Sequence, residues 1–193
     1  STTAWNGTGS VFSAGTGTVN FGATGAQTLS ATATTFNNLT VSNSGLKTFS
    51  NTPTVNGILS MEGTATVSAA PTYGSSATLR YNTVASRNAG VEWITPFVAS
   101  GGVIISNSGT ITMNAAKVFN STAPLTVNSG SSLSMSTFLL TLNGNFVNNG
   151  GTASGTTGGV TITGTATQSI GAFTTTGTVS MTKTGGIATL MGN

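Results

Sequence analysis

A chain of 193 residues is long enough to bury a sizeable core, yet this one carries only five Lys and Arg, two acidic residues and no His, Cys or Asp. Those gaps exclude Ser-His-Asp and Cys-His catalysis, disulfides and thiolate metal sites, and the thin spread of Lys47, Arg80, Arg87, Lys117 and Lys183 forms no basic patch for nucleic acid. With 37% hydrophobic residues against 4% charged, the chain should fold, and no apolar run nears the roughly 20 residues of a membrane span.

The opening segment has neither a basic n-region nor an apolar h-region, so it reads as the start of a mature or internal piece of something longer. The first alternating stretch is TVNF at 18 to 21, followed by LTV at 39 to 41, ILSM at 58 to 61 and ATVSA at 65 to 69. ATLRY at 77 to 81, TITM at 110 to 113, PLTV at 124 to 127 and SLSM at 132 to 135 come next, then VTITG at 160 to 164 and TVSM at 178 to 181. Each is a period-two strand with one buried side, separated from the next by Gly, Asn and Ser. No stretch combines helical period, length and caps, so almost no helix is expected.

The strands repeat. TVNFGATGAQTLSA from Thr18 lies over GVTITGTATQSIGA from Gly159, with Val19 on Val160 and Gln27 on Gln168 at an offset of 141. Residues 1–141 thus read as one unit and 142–193 as the start of a second. The tetrapeptide SNSG divides that unit: it closes the strand from Leu39 and again the strand from Val103, an offset of 64, which gives half-units near 39–102 and 103–178. TVNGILSM at 54 to 61 returns as TVNSGSSLSM at 126 to 135 with two extra residues. Asn and Gly suit SNSG to a turn with left-handed backbone. Short strands, dense turns and tolerated slips favour a parallel β-solenoid, or β-helix, over the alternative of tandem β-sandwiches. Its length at roughly 20 residues per coil and ~4.8 Å per coil would be about 45 Å. Neither end reads as a polar cap, so further copies of the repeat, in the same chain or end to end, are the expected partners.

Candidate chemistry is sparse. The two acids, Glu62 and Glu92, are too few for the carboxylate and Ca²⁺ clusters of polysaccharide-cleaving β-helices, and Glu62 in MEGT reads as an exposed turn. No enzyme activity, cofactor or metal is expected. Residues 71–97, PTYGSSATLRYNTVASRNAGVEWITPF, depart from the pattern by holding both Tyr, one Trp and three charges. One reading is a projecting loop that presents Tyr81, Arg87 and Trp93 to a sugar or partner. The other, which weighs more, packs Tyr81 and Trp93 against the solenoid while Arg80 or Arg87 pairs with Glu92. Thr-x-Thr pairs at 110 and 112, and through 161–167 and 174–178, raise ice binding, although outward strand positions produce the same pairs. Asn6, Asn38 and Asn120 stand in N-x-S/T sequons, which abound by chance in such a chain.

The runs GTVNFGATGAQTLS, TFNNLTVSNSG, TVNGILSM, ATLRYN and VEW resemble the β-strand repeats of giant bacterial cell-surface adhesins, including those exported by the type IX secretion system. That resemblance implies an extracellular stalk or filament at the cell surface, and the nearly uncharged Ser/Thr/Asn exterior expected of it suits close packing or weak adhesion to surfaces or glycans. It supplies no catalytic residues. The rival expectation is an ice- or carbohydrate-binding module, to be told apart by whether outward Thr or aromatic residues form an aligned file.

Overall fold

The computed structural model describes residues 2–13 and 15–192, and among them every strand ladder is parallel and no helix occurs. The chain is a β-solenoid, as the short strands and dense turns predict. Its longest sheet stacks nine strands, Thr18–Phe21, Asn38–Val41, Ile58–Met61, Thr78–Asn82, Gly102–Ser106, Leu125–Asn128, Phe146–Asn149, Gln168–Ile170 and Ala188–Leu190. At the usual ~4.8 Å between strands, nine coils make a rod about 40 Å long.

Most coils add strands on two further faces. A second face runs through Leu46–Phe49 and Thr66–Val67, then Arg87–Asn88, Thr110–Thr112, Ser132–Ser136, Thr152–Gly155 and Thr174–Thr175. A third runs through Thr54–Val55 and Thr72–Tyr73, then Lys117–Phe119, Leu140–Leu142, Val160–Ile162 and Val179–Met181. In the early coils these two faces are joined, because the strand Gln27–Phe36 pairs with Leu46–Phe49 at one end and with Thr54–Val55 at the other.

The register explains the repeats. Leu39 pairs with Leu59, Leu59 with Leu79 and Leu79 with Val103, so the offset of 64 spans three coils of 20, 20 and 24 residues. SNSG recurs because it turns the chain out of the same sheet each time, and Asn43 and Asn107 both adopt left-handed backbone, with φ of 62° and 66°. The offset of 141 has another origin. It lays Val19 of the nine-stranded sheet over Val160 of the third face, and TVNGILSM over TVNSGSSLSM is likewise shifted by one face. Strands on all three faces use the same alternation of apolar and small polar residues, so the sequence matches between faces as well as between coils.

Inward columns are apolar from coil to coil. Leu39, Leu59, Leu79, Val103 and Leu125 lie in register and are all fully buried, as are Val41, Met61, Tyr81, Ile105 and Val127 two residues on. Because burial at ~25 cal/mol per Å² adds up along such a column, its members share the load of holding the coils together. Leu59→Ala should lower the unfolding free energy by about 2–5 kcal/mol. Thr126→Ala, on the outward side of the same sheet, should change it by less than about 0.5 kcal/mol, both read from denaturant unfolding.

Candidate functional site

The second and third faces break at one place. No ladder joins Thr66–Val67 to Arg87–Asn88, or Thr72–Tyr73 to the bridge that Phe97 makes with Phe119. The gap lies in the segment 71–97 that the sequence marks out, and the segment turns its key side chains inward instead of projecting them: Tyr81 is fully buried, Trp93 is 2% exposed and Glu92 1%.

Glu92 is the centre. The chain turns tightly after Asn88, with Trp93 N donating to Gly90 O at 3.3 Å, and the carboxylate folds back so that Oε1 accepts from Gly90 N at 2.9 Å. Gly90 is required here, since a Cβ would stand 2.4 Å from Oε2 of Glu92. Tyr81 Oη donates to the same carboxylate at 2.9 Å, and Arg87 Nη2 lies 3.9 Å from Oε1 with its side chain 6% exposed. Tyr73 Oη donates to the backbone carbonyl of Glu92 at 2.8 Å. From the next coil, Lys117 Nζ donates to Trp93 O at 2.6 Å and sits 5.5 Å from the Trp93 ring centre.

The pairing of an arginine with Glu92 therefore falls to Arg87. Arg80 lies outside, where its Nη2 donates to Ser60 Oγ at 3.3 Å. Tyr81, Arg87 and Trp93 do come together, with the Arg87 guanidinium 5.8 Å from the Tyr81 ring and the Tyr81 and Trp93 rings 5.8 Å apart. They face inward, shut off from any sugar or partner. Burial and the Glu92 charge hold the Tyr81 hydroxyl well above the usual tyrosine range, and burial does the same for Tyr73. The Lys117 ammonium is pulled down by burial and raised in part by Glu92. Such a closed set of charges and hydroxyls can hold coils in place, but it offers no access to a substrate.

Nothing in the sequence alone points to Lys117 in this cluster. It occupies an inward position whose partners on later coils are Leu140, Val160 and Val179, a column where a cation is unexpected. Lys47 is also inward, and its ammonium is satisfied by the carbonyls of Ala23, Gly25 and Ser44 at 2.7–2.9 Å. Burial lowers its pKa. Among the described residues no group of three or more His, Cys, Asp or Glu could hold a metal ion.

On the outer surface the Thr-x-Thr pair at 110 and 112 belongs to an aligned array. Thr110, Ser132 and Thr152 form one file on the second face, and Asn88, Thr112, Ser134, Ser154 and Thr174 form the neighbouring one. Among the described residues no helix is long and apolar enough to cross a membrane.

No protein-family model matches the chain, and no curated protein or solved structure shows significant similarity to it.

The buried cluster sets two outcomes. Glu92→Gln should cost about 3–5 kcal/mol, because it leaves Arg87 buried without its counter-charge, and adding Arg87→Met should recover part of that loss in a double-mutant cycle. Trp93→Ala should cost about 3–5 kcal/mol, and Trp93→Phe much less, because the indole N–H bonds no protein group. The tyrosines fix the alkaline limit. Their folded pKa values lie above the unfolded value of about 10, so their contribution is intact below pH 10 and is lost as pH rises through the folded values. As Tyr73 and Tyr81 are the only tyrosines, tyrosinate absorbance should rise in one cooperative step together with loss of the β-sheet circular dichroism signal. A gradual rise near pH 10 with the fold intact would mean that the hydroxyls are accessible.

Proposed function

We propose that the chain is a structural segment of a large extracellular adhesin or surface filament, acting as a stiff stalk whose coils are covered by further coils of the same pattern. The observation that carries this reading is the nine-stranded parallel sheet, in which coil after coil stacks in register around one apolar interior. Val179, Met181 and Leu190 are 53%, 55% and 65% exposed, whereas their register partners one coil earlier, Val160, Ile162 and Ile170, are buried. These are core positions with nothing stacked on them. They rim an apolar trough of about 370 Å³ that also includes Ile162, Ile170 and Phe173.

The strand edges there point the same way. Ala188–Leu190 ends the nine-stranded sheet with a row of unpaired backbone groups, an arrangement that templates another strand. Head-to-tail stacking of this kind is heterologous and extends into a filament rather than closing. An outer surface of Ser, Thr and Asn with few charges sets up little repulsion between neighbours and suits weak polar adhesion. The resemblance to repeats of cell-surface adhesins supports a setting outside the cell for such a rod.

A second reading, binding to an ordered surface such as ice, is favoured by the two hydroxyl files on the second face. It calls for inhibition of ice recrystallisation at micromolar concentration, lost when Thr112 and Ser134 are replaced by Lys.

For the stalk, light scattering of the 193-residue chain should show concentration-dependent association, and electron microscopy should show rods with strand spacing along the axis. Met181→Lys together with Leu190→Lys should return it to single particles without loss of the fold. A strictly monomeric wild-type particle with the open end stable in water would refute the stacking.

A further inference from the structure

The adhesion invoked above needs a site, and the residues that composition suggested, Tyr81, Arg87 and Trp93, are inside the rod. Glu92 is buried with them, so Glu62 is the one carboxylate left at the surface. It follows the strand Ile58–Met61 at the corner where the chain leaves the nine-stranded sheet, and it lines a cleft of about 240 Å³ with Ser42, Asn43, Asn82, Thr83 and Asn107. Four successive coils contribute. The cleft is built at close quarters: Gly63, with φ of 61°, lies so near the coil before it that a Cβ would stand 2.3 Å from Asn43 O.

Its polar groups are partly spoken for. Glu62 Oε1 accepts from Ser60 Oγ at 2.8 Å and from Asn82 Nδ2 at 3.1 Å, while Thr83 Oγ1 donates to Gly63 O at 3.2 Å. Asn43 Nδ2 donates to Gly22 O. What remains is a mixed set: the second oxygen of Glu62, the amide oxygens of Asn43 and Asn82, and the whole amide of Asn107, none of which bonds a protein group among the described residues. Groups that both accept and donate match hydroxyls, which do the same.

We propose that this cleft binds the terminal sugar of a neutral glycan, with Glu62 and Asn82 accepting from ring hydroxyls and Asn107 donating to them. This deepens the adhesion reading and rests on it. The flanking charges select against ions. Arg80 reaches Glu62 through Ser60, so a guanidinium stands close to the single carboxylate, a poor seat for a divalent cation, while the charge of Arg87 is met inside by Glu92. The carboxylate in turn disfavours an anionic sugar. The volume is below the roughly 300–1,000 Å³ of pockets that enclose drug-sized ligands, which suits one sugar unit held at a chain end. Without an aromatic platform in the cleft, each contact is weak, and repetition along a filament supplies the avidity.

Saturation-transfer NMR on the full chain, with the methyl pyranosides of glucose, galactose, mannose and N-acetylglucosamine as probes, tests the assignment. At least one should show transfer, reduced at least tenfold in Glu62→Gln and in Asn107→Ala, with circular dichroism unchanged in both. A sialic acid methyl glycoside should show none, and CaCl₂ at 1 mM, about the level extracellular sites require, should not compete. Absence of transfer from all four neutral probes overturns the proposal, as does transfer that both variants retain. The stalk reading stands or falls separately, on association measured in the same samples: rods that bind no pyranoside lose the cleft alone, and sugar-binding single particles lose the stacking alone.

Discussion

Hydrogen bonding between strands 18 to 25 residues apart fixes almost everything else about this molecule. Partners in a parallel ladder share a side of the sheet, so a position that points inward in one coil points inward in the next, and a slip of one residue would turn a whole column to water. A column can therefore accept only apolar side chains or polar ones whose bonds are met inside. The exceptions obey that constraint in a common way, by reaching back to the preceding coil. Lys47 bonds Ala23 O and Gly25 O, Lys117 bonds Trp93 O, and Gln168 bonds Leu142 O and Gly144 O, each 22 to 26 residues earlier. Most of these acceptors lie at corners, where carbonyls leave the ladder, while Leu142 O accepts from Gln168 as well as from Thr163 N of the next coil.

This explains which features could be read before the fold was known. Alternation in TVNF, ILSM or ATLRY reports a strand with one buried side, and left-handed backbone at Asn43 and Asn107 follows from turn chemistry. The coil length was harder to see, because three faces built from the same alternation let Val19 match Val160 across faces as well as Leu39 match Val103 across coils. Lys47 and Lys117 look like surface charges in one dimension, since a corner resets the phase of the alternation and only the register shows which way a residue points. Tyr81, Arg87 and Trp93 were grouped by composition, and they do meet; whether such a group faces in or out depends on whether the ladder around it is complete.

Charge is distributed by the same logic. Of five basic and two acidic residues, Lys47, Arg87, Glu92 and Lys117 are inside, leaving Glu62, Arg80 and Lys183 at the surface. The exterior that results is hydroxyl and amide with little net field, so neighbouring rods meet no long-range repulsion and lie within reach of short-range polar contacts.

The break in the second and third faces shows what replaces a ladder where one is missing. Two coils there lose strand pairing on two of three sides, and rings fill the interior instead: Tyr81 meets Trp93, Trp93 meets Phe119, Phe119 meets Phe97 and Phe97 meets Tyr73, at centroid distances from 5.1 to 6.3 Å. This run of aromatics crosses from the nine-stranded sheet to the third face, and Glu92 ties its two tyrosines together through side chain and backbone. The unbroken sheet carries the register past the gap, and the side chains of the cluster fill the interior between the coils on either side of it.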